Sequence, residues 1–95
     1  MLEKLAELEY KFLDIERKMS DPDVIADNSA YQELVKKHTD LQEAVDMYRQ
    51  YKKNQAALSE AKEMLQDPDM KDMAEEEIKV LEKEAAQLYE DLQQY

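Results

Sequence analysis

Glycine, cysteine and tryptophan are all missing from these 95 residues, and proline occurs only at Pro22 and Pro68. Without glycine there is no loop in which backbone N–H groups can close on a phosphate or pyrophosphate, so nucleotide-hydrolysing and dinucleotide-binding enzymes are excluded. Without cysteine there is no disulfide framework and no thiolate chemistry, which is compatible with a reducing compartment; a cytoplasmic location is expected. β-Branched runs separated by turn dipeptides are missing as well, so no sheet is expected. No apolar stretch approaches the ~20 residues that span a bilayer, and Met1-Leu2-Glu3-Lys4 does not open a charged leader with an apolar core. The chain therefore reads as soluble and untargeted. Positive charge is also in short supply. Thirteen Lys and Arg face twenty-four Asp and Glu, a formal net charge of -11, which repels phosphate backbones and anionic lipid. Sequence-specific nucleic-acid binding by this chain is not expected, nor is membrane binding.

What remains is rich in Glu, Lys, Leu, Ala and Gln, all strong helix formers. The expected class is all-α, and a chain of this length supports one small domain, 1–95, at most. Met1, Leu5, Leu8, Phe12, Ile15 and Met19 recur at alternating spacings of four and three, one stripe of a first helix over about 1–19. Asp21-Pro22 ends it, since proline cannot continue a helix but can start a turn capped by Asp21, and a short turn through Asp27 is expected. Asn28 or Ser29 then caps a second helix, with Gln32 in capping-box position behind Ser29. No breaker follows until Asp67-Pro68, so this helix covers about 29–65 and measures roughly 55 Å at ~1.5 Å per residue. Its apolar stripe shifts partway. Tyr31, Leu34, His38, Leu41, Val45 and Tyr48 form one line; Ala44, Met47, Tyr51, Asn54, Leu58, Ala61 and Leu65 form another, as expected where a second neighbour takes over. After the Asp67-Pro68-Asp69 turn, Ala74, Ile78, Leu81, Ala85, Leu88, Leu92 and Tyr95 mark a third helix over about 70–95. Short connections predict an elongated antiparallel three-helix bundle or coiled coil around the long central helix. Its three helices are expected to meet only near Leu41, Ala44, Val45 and Tyr48.

No catalytic constellation emerges. His38, the single histidine, lies on an apolar stripe and reads as a packed or edge imidazole, because the Glu-x-x-His step of a helical metal site is missing: position 35 is Val35. Ser20, Ser29, Thr39 and Ser59 read as caps or surface positions, with no base and oxyanion donor to activate them. No enzyme activity, cofactor or metal is expected. Negative charge concentrates toward the end of the chain: residues 1–19 sum to -1, residues 20–65 to -3 and residues 66–95 to -7. Within it Glu75-Glu76-Glu77 reads as a solvated face near a helix start. Against this acidic background Tyr48-Arg49-Gln50-Tyr51-Lys52-Lys53 is the densest basic and aromatic stretch. Arg49, Lys52 and Lys53 are the candidate partner-contact residues, set against the plainer reading that they offset nearby carboxylates.

The order of these features resembles a known family. An amphipathic opening helix, the Ser20-Asp21-Pro22-Asp23-Val24-Ile25 turn, the Tyr48 to Lys53 segment inside a long helix and Met73-Ala74-Glu75-Glu76-Glu77-Ile78 opening the next are similar to the N-terminal domain of bacterial class I peptide chain release factors, of the release factor one type. The likeness runs over all 95 residues. The turn and the tyrosine-arginine segment carry it, whereas the leucines between them suit any helical bundle. Family members read stop codons and trigger peptidyl-tRNA hydrolysis on the ribosome through later domains, with a Gly-Gly-Gln loop and a Pro-x-Thr reader. Neither occurs here: the chain has no glycine, and no threonine stands two residues after Pro22 or Pro68.

The resemblance therefore implies an accessory role in translation termination, for a fragment of a longer multidomain factor. The partners it implies are the ribosomal stalk base with its L11 protein and the GTPase that recycles release factors. The missing Gly, Asn or Pro stop before Tyr95 fits a chain that continues. The alternative is a free-standing coiled-coil scaffold or chaperone-like helical protein, in which the stripes would mediate self-association; the same stripes would support a homodimer of the isolated chain.

Overall fold

The computed structural model describes residues 1–95, and every regular element in it is an α-helix: α1 (Leu2–Met19), α2 (Pro22–Ala26), α3 (Asn28–Met64) and α4 (Lys71–Leu92). No residue has positive φ and no peptide bond is cis. The connections are thus built from ordinary right-handed or extended geometry, as at Ser20 with φ -90 and ψ -6. That is how the chain folds without glycine.

Contacts gather in two compact units, residues 1–46 with Tyr95, and residues 47–94, with α3 running through both. In the first unit Leu5, Phe12 and Ile15 of α1 are buried, as are Ala44 and Val45 of α3. Tyr31, Leu34, His38 and Leu41 are half-buried. Leu41, expected in the buried centre, is therefore a flank residue, and the small pair Ala44 and Val45 takes the closest-packed position. The His38 ring stacks on Phe12 at 4.2 Å between centroids and 23° between planes. Its Nε2 lies 3.1 Å from Glu16 Oε2, so the polar edge of the imidazole is satisfied while its face packs. Tyr95 also belongs to this unit: Lys4 Nζ donates to its main-chain oxygen, and its hydroxyl donates to Glu43 at 2.8 Å.

In the second unit Asn54, Leu58 and Ala61 of α3 and Ala74 and Leu92 of α4 are buried. Met47, Tyr51, Ile78, Leu81, Ala85 and Leu88 are half-buried around them. Apart from exposed Met1, each expected stripe is therefore an inward face. Burying a large apolar side chain on such a face contributes about 1.5–3 kcal/mol, far more than helix propensity does in so charged a chain. The one buried polar side chain, Asn54, donates from Nδ2 to the main-chain oxygen of Leu81 at 2.9 Å, and its Oδ1 accepts from Gln55 at 3.1 Å.

The two Asp-Pro-Asp turns share one local device. Asp21 and Asp67 each accept from the backbone N–H two residues on, at 2.9 Å. After Asp21 the chain does not merely turn: Pro22–Ala26 is a short helix with proline in its first turn. The start of α3 also differs from expectation. Asp27, not Asn28 or Ser29, supplies the cap, its Oδ1 accepting from Ala30 N–H at 3.2 Å and its carbonyl from Tyr31 N–H at 3.0 Å. The physical reason is α2: its end holds Asp27 in extended geometry, φ -98 and ψ 96, the backbone state a cap residue needs.

Candidate interaction surface

At about 100° per residue, Tyr48 and Lys52 lie one turn apart on α3, and Arg49 and Lys53 one turn apart beside them. The three basic residues consequently share an arc roughly 100° wide. Tyr48 is half-buried and the Lys52 ammonium stands 4.8 Å from its ring centroid, a cation–π contact that orients the lysine along the helix. Tyr51 faces inward instead, its ring 6.3 Å from that of Tyr89 with a 49° tilt. Arg49 is half-buried, whereas Lys52 and Lys53 are exposed. The segment therefore splits: the tyrosines anchor α3, and the cations form its outer edge.

Lys53 also borders a trough of about 490 Å³ within the second unit, together with Gln50, Asn54 and Ala57 of α3 and Leu81, Glu84, Gln87 and Leu88 of α4. Its apolar lining comes from Ala57, Leu81 and Leu88. A smaller trough of about 350 Å³ in the first unit has Ile15, Leu34 and Leu41 at its base and Lys11, Lys18 and Asp40 among its rim residues. Beside it, Asp14 accepts from Lys18 at 3.2 Å and from Arg17. Lys18 first and then Arg17 hold its carboxyl below the usual carboxylate range.

No three His, Cys, Asp or Glu side chains converge as a metal site would require, and no helix is long and apolar enough to cross a membrane. Ser20 and Thr39 bond back to main-chain oxygens four residues earlier, at 3.3 Å and 3.0 Å, which is the behaviour of surface helix hydroxyls. What this architecture offers a partner is helix faces: a basic arc, apolar troughs and acidic flanks.

The architecture is all-helical, with four α-helices and no strand. The chain belongs to the PCRF domain family, whose model matches residues 8–95. Among curated proteins it is similar to peptide chain release factor 1 of Alkaliphilus oremlandii (strain OhILAs), 45% identical over 86 residues, covering 86% of this chain and 24% of the relative. Peptide chain release factor 1 of Clostridium botulinum (strain 657 / Type Ba4) is 46% identical over 84 residues, with 85% and 24% covered. That of Alkaliphilus metalliredigens (strain QYMF) is 40% identical over 96 residues, with 97% and 27% covered. The chain thus spans about a quarter of the length of these relatives. No solved structure matches it.

Proposed function

We propose that this chain is the helical accessory domain of a bacterial translation termination factor. Stop-codon reading and peptidyl-tRNA hydrolysis belong to other parts of the intact protein, and this domain contributes protein–protein contacts on the ribosome, without catalysis or cofactor. The observation that carries the reading is the family match over residues 8–95, in a chain whose helices end in no reactive loop and whose composition holds no glycine. The partners are the stalk base with its L11 protein and the recycling GTPase, and the setting is the cytoplasm.

Arg49, Lys52 and Lys53 serve as the contact arc. An acidic domain beside a phosphate-rich particle is best placed against protein, and a local basic edge meets the nearest acidic or phosphate group. Charges at the rim of a contact govern association rate and salt dependence more than final affinity. The test compares a full-length factor carrying this domain with its Arg49→Glu, Lys52→Glu, Lys53→Glu triple variant at two salt concentrations. The expected result is slower ribosome association and impaired GTPase-dependent recycling at low salt, with the gap closing at high salt. Unchanged association and recycling at low salt overturns the assignment of the arc.

A further inference from the structure

The second unit carries a docking surface that the basic arc does not explain. Two of its large apolar side chains, Met73 and Val80, stand 62% and 57% exposed on α4. They are seven residues apart and so lie on one face, outside the inward stripe of buried Ala74 and Leu92 and half-buried Leu81. Helical spacing puts Glu77, Glu84 and Asp91 on that same face, also seven apart. Glu77 and Glu84 are exposed; Asp91 is half-exposed and oriented by Gln87, whose Nε2 donates to it at 3.0 Å. None of α4's lysines, Lys71, Lys79 and Lys83, falls on the strip.

Glu84 belongs both to this strip and to the trough whose floor is Ala57, Leu81 and Leu88. Trough and strip therefore meet at Glu84 as one surface: an apolar floor bordered on the α3 side by Lys53, and on the α4 side an exposed apolar shoulder and a row of carboxylates. From Met73 to Asp91 it runs about 27 Å at ~1.5 Å per residue. Exposed apolar side chains at heptad spacing beside a trough are what an added helix covers, with charges flanking its seam selecting the partner.

We propose that this surface binds an amphipathic helix of another protein, whose apolar edge fills the trough and covers Met73 and Val80 while Lys or Arg at seven-residue spacing pair with Glu77, Glu84 and Asp91. Charge selects this occupant. Residues 66–95 carry -7, so a second copy of the same acidic segment is repelled where a basic helix is drawn in. The proposal stands apart from the termination reading and holds whatever protein supplies the helix.

The test uses the 95-residue chain and two synthetic amphipathic helical peptides of about three heptads, with identical leucine seams flanked by Lys in one and by Glu in the other. Anisotropy titrations should show binding of the Lys peptide that weakens with salt, and no binding of the Glu peptide. Amide shifts should centre on Ala57, Val80, Leu81 and Glu84. Val80→Ser with Glu84→Lys, both at exposed positions, should weaken binding about tenfold or more while circular dichroism and melting stay unchanged. Glu77→Lys alone should weaken it in the same direction. Any of these outcomes overturns the proposal: binding of neither peptide, equal binding of both, unchanged affinity in the variants, or shifts centred on exposed Leu2, Tyr10 and Leu13 of α1. Concentration-dependent dimerisation lost in Val80→Ser would assign the surface to a second copy and overturn it equally.

Discussion

Asn54 Nδ2 on α3 donates to the main-chain oxygen of Leu81 on α4 at 2.9 Å, inside the otherwise apolar seam of the second unit. A side-chain amide aimed at one carbonyl fixes which residues of the two helices stand opposite each other, because any slip along the seam leaves a buried amide without a partner.

Asn54→Ala should therefore destabilise the chain by about 1–3 kcal/mol, the loss of a buried hydrogen bond together with packing. Asn54→Leu should behave differently. It removes the amide without leaving a polar group stranded, so urea midpoints should hold or rise, while alternative pairings become accessible and sedimentation should show added self-association. Equal loss of stability in both variants, with no change in association, would mean that Asn54 acts only through its volume.

The Phe12–His38 stack sets a ranking in the first unit. Phe12 is 2% exposed, and its replacement by alanine should cost about 3–5 kcal/mol. Leu41→Ala should cost less than this, since Leu41 is only half-buried, and Lys36→Ala should cost under ~0.5 kcal/mol as a surface change. Chemical denaturation of the three variants checks the order. A Lys36 effect larger than that of Leu41 would contradict the inward face assigned to this half of α3.

The capping difference can be read directly. Asp27→Ala should cost about 0.5–2 kcal/mol by freeing the first-turn donors of α3, whereas Ser29→Ala should be nearly neutral. Asp21→Ala should also weaken the turn, since Asp21 holds the Asp23 N–H at 2.9 Å. Thermal melts of the single variants suffice; a Ser29 loss equal to that of Asp27 would return the cap to Ser29.

These cases mark where the chain was readable and where it was not. Four-three spacing identified Phe12, Ile15, Ala74 and Leu92 as inward because a helix face repeats within one or two turns. The five residues of α2 are too few to show any period, so they read as a turn, and the cap was placed at Asn28 or Ser29, one or two residues late. The basic arc was legible because Arg49, Lys52 and Lys53 are neighbours in sequence. The trough was not, because its walls come from α3 and α4 and depend on the register set by Asn54 and Leu81. Met73 and Val80 stand off the four-three stripe of α4, so the spacing assigned them no role.

Acid titration should expose the Asp14 cluster. Lys18 and Arg17 hold the folded-state carboxyl below its ordinary value, so the unfolded chain binds the proton more readily. The contribution to stability is then fully present above the unfolded value, near pH ~4, and is lost as pH falls through the lower folded value. Wild type should exceed Asp14→Asn in stability at neutral pH by a small, salt-sensitive margin that closes in acid. A gap that widens as the pH falls would have the wrong sign for a carboxylate held by cations.

The 95-residue chain should support no stop-dependent peptide release from programmed ribosomes. On the proposed reading, ester hydrolysis belongs to a part of the intact factor outside these 95 residues, which hold no glycine for a Gly-Gly-Gln loop. A stop-codon reader of the Pro-x-Thr kind is likewise missing, since Asp23-Val24 follows Pro22 and Asp69-Met70 follows Pro68. Both prolines instead sit in Asp-Pro-Asp turns whose first aspartates, Asp21 and Asp67, accept from the backbone N–H two residues on. Release assays with the purified chain should therefore match the buffer control at every stop codon, while a full-length factor restores release. Stop-dependent hydrolysis by the chain alone, after full-length contaminant is excluded by mass spectrometry, would overturn the accessory assignment and require a catalytic group on one of these helices.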